Sequence, residues 1–213
     1  MPWFYSTATF LMKVALLALS RWQVNFQGEV PKKGPLIIVS NHIDMIDPPL
    51  LSASISRRIV FMAKQESYFS PGGIFIRLFG AFPVRRGEPD RRALRRAEAV
   101  LREGLALGMF PEGTRSRTAQ MQRPKGGASL IALRSGAPIL PVGITGSEAI
   151  SGLGFVFRRP KITVNIGQPF TLPRRERKGS GPQLDKLSAV IMEHIADLLP
   201  DSYRGVYGQD KDE

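Results

Sequence analysis

Short apolar runs separated by segments of helical period constrain this chain more than anything else in it. Leu36–Val39, Arg58–Ala63, Leu105–Phe110, Ile139–Ile144 and Ile162–Ile166 are too short for ordinary helices and largely apolar or β-branched. A run that is apolar throughout, rather than at alternate positions, fits a strand covered on both faces. Between these runs lie segments with apolar residues at helical spacing. The clearest is Pro89–Glu103, where Ala93, Leu94, Ala97, Val100 and Leu101 form a stripe and Arg91, Arg92, Arg95, Arg96 and Arg102 lie largely elsewhere. Strands alternating with helices predict an α/β fold: a central mixed, mostly parallel sheet flanked by helices. Gln23–Glu29 alternates apolar and polar residues and adds a strand. Pro48–Arg57, Ile74–Phe79, Gly126–Arg134 and the stripe Leu184, Leu187, Ile191, Ile195, Leu198 add helices. Ile74–Phe79, strongly apolar, is expected in the core. Gly80–Gly87 reads as a turn, Gly146–Pro160 as a glycine-rich loop and Pro173–Lys178 as a charged linker.

The N-terminus is apolar from Trp3 to Leu19, with Lys13 inside it. As a helix, residues 3 to 21 would be about 28 Å long, close to the apolar thickness of a bilayer. A charge at mid-span is costly, however, and Trp3, Tyr5, Arg21 and Trp22 flank the stretch as interfacial residues do. The expectation is a helix lying in the membrane surface with Lys13 snorkelling. No basic segment precedes it, which disfavours a secretory signal. The expected organisation is a membrane-associated helix over 1–22, an α/β domain over 23–200 and a flexible tail over 201–213. The chain contains no cysteine, so a disulfide framework, a thiol nucleophile and a cysteine-ligated metal are excluded. A net charge of +12 points to an anionic partner: acidic lipid, a phosphorylated substrate or nucleic acid. A nucleic-acid surface would interleave its basic residues with exposed aromatics; few such aromatics are present, and the apolar N-terminus would have no role.

The first buried run ends in Ser40-Asn41-His42, with Asp47-Pro48-Pro49 beyond. On a helix, His42 and Asp47 would point about 140° apart and could not pair. The residue before a proline avoids the α region, so Asp47 is expected outside the helix, as the N-cap, with Pro48 in its first turn. A loop between the two lets a carboxylate meet an imidazole, as a general base and its orienting partner require. Asp44 competes for that place. His194, on the last helix, reads as structural. There is no Gly-x-x-x-x-Gly-Lys-Ser/Thr phosphate loop, no Gly-x-Ser-x-Gly elbow and no acidic or histidine cluster with metal spacing.

Four segments occur in one order: Asn41-His42-x4-Asp47, Gly80-Ala-Phe-Pro-Val-Arg-Arg86, Phe110-Pro-Glu-Gly-Thr-Arg-Ser116 and Leu140-Pro-Val-Gly143. This set, over residues 36 to 145, resembles the glycerolipid acyltransferases, most closely the bacterial 1-acylglycerol-3-phosphate acyltransferases. The resemblance implies that His42 is a general base and Asp47 its partner. It implies that Lys64, Arg86, Glu112, Gly113, Thr114 and Arg115 bind the glycerophosphate, and that Pro141 lies in a block linked to the acyl donor. Pro83 and Arg85 depart from the family's commoner residues, which bears on the identity of the acceptor. The implied reaction moves an acyl group from acyl-CoA or acyl carrier protein to the 2-hydroxyl of lysophosphatidic acid, giving phosphatidic acid, with another lysolipid or glycerol-3-phosphate as the alternative acceptor. No metal or other cofactor and no nucleic-acid partner is expected. The implied location is the cytoplasmic face of a membrane. The chemistry agrees: a neutral imidazole can take the proton of a poorly nucleophilic hydroxyl, a carboxylate can stabilise the imidazolium that forms, and arginine forks bind phosphate bidentately.

Overall fold

The structure is a computed structural model that describes residues 2–85, 87, 90–150, 155–173 and 181–208. It opens with helix α1 (Pro2–Leu19) and strand β1 (Arg21–Phe26), followed by β2 (Leu36–Ser40), α2 (Asp47–Ser54) and β3 (Ile59–Lys64). Short helices α3 (Gln65–Phe69) and α4 (Gly73–Leu78) lead to β4 (Phe82–Val84), α5 (Arg91–Arg102), β5 (Ala106–Met109) and α6 (Gly127–Ser135). Then come β6 (Ile139–Thr145), α7 (Phe155–Arg158), β7 (Lys161–Ile166), α8 (Gly181–Ala196) and α9 (Asp201–Arg204).

The seven strands form one sheet in the order β1-β7-β6-β2-β5-β3-β4. Every pairing is parallel except β6 with β7. The sheet is therefore mixed and mostly parallel, as expected. Its central strand explains the unbroken apolar runs. Ile37 and Val39 of β2 pack with Ala97, Val100, Ile131, Ile191 and Ile195, on the face covered by α5, α6 and α8. Leu36 and Ile38 point the other way and pack with Leu16, Leu50, Leu51 and Ile55, on the face covered by α1 and α2. Period-two side chains thus fill two cores, and both must be apolar. Gly108 in β5 meets a steric need: a Cβ there would lie 2.4 Å from a ring carbon of Phe61.

Several expectations change in detail. Asp47 is the first residue of α2 rather than its N-cap, which falls on Ile46; Pro48 and Pro49 occupy the first turn, where a missing N–H costs nothing. The expected turn at 80–87 contains β4, a three-residue edge strand through Pro83, short enough to leave no periodic signal. Ile74 and Phe75, expected in the core, are exposed on α4. The loop at 146–160 holds a 3-10 turn at Ser147–Ala149 and helix α7. Residues 201 to 208 form α9 and a 3-10 turn rather than a free tail. Tyr203 fastens them: its hydroxyl donates to Glu148 and accepts from Gly146 N at 3.2 Å, and its carbonyl accepts from Met121 N at 2.8 Å. Burial and the Glu148 carboxylate push the Tyr203 phenol up to about 12, so it stays a donor. Of the charged linker, Arg174 to Lys178 lie outside the described residues.

Helix α1 packs one stripe inward, with Tyr5 and Leu16 buried. The Tyr5 hydroxyl anchors that side by accepting from Ile59 N at 3.0 Å. Its opposite stripe, Trp3, Phe10, Val14 and Leu17, is also apolar but exposed. Among the described residues no helix is long and apolar enough to cross a membrane.

Candidate active site

β2 ends at Ser40, and Asn41 holds the chain in place for one more residue. Its amide donates to Ile144 O at 2.9 Å and accepts from Ile144 N at 2.8 Å, so a side chain continues the pairing with β6. Both of Asn41's polar groups are matched at a buried position, which fixes the entry to the loop. His42 follows immediately.

The loop from His42 to Asp47 closes on one oxygen. Asp47 Oδ2 accepts from Ile43 N at 2.7 Å and Asp44 N at 2.8 Å, and pairs with His42 Nδ1 at 2.8 Å. Asp44 instead accepts from Ile46 N at 3.2 Å, so Asp47 is the histidine's partner. Asp47 is 0% exposed, and the His42 ring lies against Phe110, with centroids 4.0 Å apart and planes at 19°. Phe110 and the carboxylate leave the imidazole little rotational freedom. With Nδ1 engaged by Asp47, a neutral ring carries its proton there and presents a lone pair at Nε2. That is the tautomer a general base requires.

The Phe110–Ser116 segment follows β5, the neighbour of β2, and is tied to the histidine loop from both sides. His42 N donates to Glu112 Oε1 at 3.2 Å, and Ser116 N donates to His42 O at 2.7 Å. Glu112 Oε2 accepts from Gln122 N at 3.1 Å. Glu112 is 2% exposed, and burial pushes its carboxyl up to about 7, against the opposing pull of the His42 and Gln122 N–H groups. Gly113 has φ +68°, a left-handed turn, with the Lys125 chain lying 2.9 Å from where a Cβ would sit. The segment then opens into a cavity of about 760 Å³ that Ile43 and Asp44 of the histidine loop line together with Thr114, Arg115, Arg117 and Glu148 among others; the His42 ring itself is not in its wall.

The residues singled out from sequence therefore separate. His42 and Asp47 meet directly. Thr114 and Arg115 stand in the cavity wall, Gly113 makes the turn, and Glu112 lies behind it, bonded to backbone. Lys64 ends β3 and pairs with Glu66 at 3.7 Å, about half exposed. Arg86 lies outside the described residues. Pro141 is in β6, opposite Val39. His194 is structural, stacked on Phe170 at 3.9 Å. Sequence reasoning missed the roles of Asn41, Phe110 and Gln122; the first two stand inside recognised motifs, but only the sheet order discloses what they touch.

Comparisons with known proteins agree with this geometry. A family model described as Acyltransferase matches residues 21–145. A 1-acyl-sn-glycerol-3-phosphate acyltransferase of Bacillus subtilis is 30% identical over 174 residues, covering 78% of this chain and 85% of that protein. One from Borreliella burgdorferi is 32% identical over 148 residues, covering 63% of this chain and 57% of that protein. The crystal structure of the 1-acyl-sn-glycerophosphate acyltransferase of Thermotoga maritima superimposes with a TM-score of 0.68 at 28% identity, covering 91% of this chain and 79% of the other. The chain belongs to the Acyltransferase family. It spans little more than half the length of the Borreliella relative.

Proposed function

We propose that this protein is a membrane-associated O-acyltransferase that moves a fatty acyl group from a thioester to the 2-hydroxyl of 1-acylglycerol-3-phosphate, giving phosphatidic acid. The observation that carries the reading is the 2.8 Å pairing of His42 Nδ1 with the buried Asp47, in a loop whose Ile43 and Asp44 line a cavity that Arg115 and Arg117 also wall. The acceptor hydroxyl attacks the thioester carbonyl, forming a C–O bond, while His42 Nε2 takes its proton. The tetrahedral intermediate then collapses, breaking the C–S bond, and the imidazolium returns the proton to the departing thiolate. Asp47 stabilises the imidazolium between these steps. Arg115 and Arg117 supply cationic forks for the acceptor's phosphate, with Thr114 as a hydroxyl donor. The donor is acyl-CoA or acyl carrier protein.

The exposed stripe Trp3, Phe10, Val14 and Leu17 on α1 supports attachment by a helix lying in the membrane surface. Lys13 projects from the side of that stripe and reaches the headgroup level. The cytoplasmic face is the side on which both thioester donors are made available. The test is mass-spectrometric identification of product from lysophosphatidic acid, glycerol-3-phosphate and a neutral lysolipid, each with either thioester. Phosphatidic acid formed from lysophosphatidic acid is the expected result. Transfer to the neutral lysolipid at an equal rate would remove the phosphate from the account.

A further inference from the structure

The exposed apolar side chains are not scattered evenly; the sheet topology collects a group of them at one edge. His42 follows the C-terminal end of β2. Helices α3 and α4 follow the C-terminal end of β3, parallel to β2 through β5. α7 precedes β7, which runs antiparallel to β6 with Thr163 opposite Thr145, so α7 also stands at the C-terminal end of β6. In sheet order β7 and β6 lie on one side of β2, and β5 and β3 on the other. The tips of α7 and of α3–α4 thus flank the histidine loop.

Both tips carry large apolar side chains with nothing over them. Phe157 on α7 is 91% exposed, beside the exposed Val156. Phe69 on α3 and Phe75 on α4 are 66% and 63% exposed, beside Ile74. Met45, in the histidine loop between them, is 71% exposed. Isolated exposed apolar residues need no explanation, but aromatic residues collected at the tips around an active-site loop do. Basic residues accompany them: Arg158, Arg159 and Arg21 at α7, and Arg77 and Arg85 near α3–α4, all exposed.

The α7 tip is built to stay where it is. Arg159 adopts φ +44°, an uncommon conformation for a residue with a Cβ, and this turns the chain back into β7. Its guanidinium donates to Leu17 O at 3.3 Å, and Arg21 Nε donates to Arg159 O at 3.2 Å. Arg159, two residues beyond Phe157, is therefore fastened to the end of α1 at Leu17, where the exposed stripe of that helix finishes. On the other side, Arg77 donates to Tyr68 O at 2.7 Å and holds α4 against α3.

We infer that the active-site edge of the sheet docks onto an anionic lipid bilayer through two apolar tips, Phe157 with Val156 on α7 and Phe69 with Ile74 and Phe75 on α3–α4. The arginines beside them meet the lipid phosphates, and the histidine loop is held against the headgroup layer between the two contacts. A single helix in the interface leaves a protein free to rock about its axis; contacts on both sides of the catalytic loop fix which edge faces the lipid. The activity part of the test below rests on the acyltransferase reading; the binding part does not.

The experiment measures co-sedimentation of the full chain with vesicles of phosphatidylcholine alone and of phosphatidylcholine mixed with phosphatidylglycerol. The variants are Phe157→Asp, the pair Phe69→Asp and Phe75→Asp, and Phe10→Asp with Leu17→Asp on α1. Each substituted side chain is exposed, and circular dichroism checks that the fold is kept. The expected result is a loss of about tenfold or more in partition to anionic vesicles for each tip variant, from the apolar burial forgone. Transfer to a vesicle-borne acceptor falls in parallel, while transfer to a short-chain acceptor dispersed in water is unchanged. Unchanged partition of both tip variants, with loss only in the α1 variant, would overturn the inference. So would equal binding of the unaltered protein to neutral and anionic vesicles. If the unaltered protein acylates no acceptor at all, the acyltransferase reading fails, while the partition result still decides the docking.

Discussion

Glu112 gives the sharpest quantitative expectation. The carboxyl is buried, both of its oxygens accept from backbone N–H groups, and its folded-state value is raised from 4.5 to about 7. Below about 4.5 the folded and unfolded chains are both protonated there, and the group adds no pH dependence. As pH rises from 4.5 towards 7, the unfolded chain ionises while the folded one holds its proton, so stability falls. Above about 7 both are ionised and the whole cost is in force, roughly 3 kcal/mol at 1.36 kcal/mol per pH unit. Glu112→Gln removes the titration and mimics the protonated side chain. Urea unfolding followed by tryptophan fluorescence, at pH 4.5, 6 and 8 in the same detergent, reads the difference between the two proteins. The expected outcome is that the variant, compared with the unaltered chain, gains about 3 kcal/mol between pH 4.5 and 8. Stability curves that run parallel across that range would refute the reasoning.

Other expectations are narrower. Asp47→Asn keeps the side chain's shape but removes the charge that stabilises the imidazolium; kcat should fall by about 10³ to 10⁴, measured in single turnover. Asp47→Ala leaves the Ile43 and Asp44 N–H groups without an acceptor and should in addition lower stability by about 2 to 5 kcal/mol by denaturant unfolding. Arg115→Ala should raise KM for a phosphate-bearing acceptor by about tenfold or more while kcat changes less, in steady-state assays at varied acceptor. Tyr203→Phe removes the bonds to Glu148 and Gly146 and should cost about 1 to 2 kcal/mol, a Tm lower by about 3 to 6 °C by calorimetry.

The sequence carried the layer structure because strands buried on both faces must be apolar at every position, and Leu36–Val39 is. It carried the histidine loop because a histidine at a strand end and an aspartate before two prolines leave few geometries, among them one in which a carboxylate meets the imidazole. It left Asp44 and Asp47 in competition, since both are within reach of the imidazole along the loop, and only the three donors converging on Asp47 Oδ2 separate them. The motif implies a substrate role for Glu112; in the fold its carboxylate accepts from His42 N and Gln122 N. No local pattern reveals that, because it depends on β5 lying next to β2. Within the flexible tail expected over 201–213, the order of residues 201 to 207 escapes the sequence for a similar reason. That order comes from Tyr203 reaching Gly146 and Met121, far away in sequence, and not from helical periodicity.

The central claim is that His42 takes the proton of the acceptor hydroxyl. Its most direct test is single-turnover acyl transfer from a thioester to lysophosphatidic acid by His42→Ala, with circular dichroism showing that the fold is retained. A fall of at least about 10³-fold is predicted. Transfer within tenfold of the unaltered protein would contradict it.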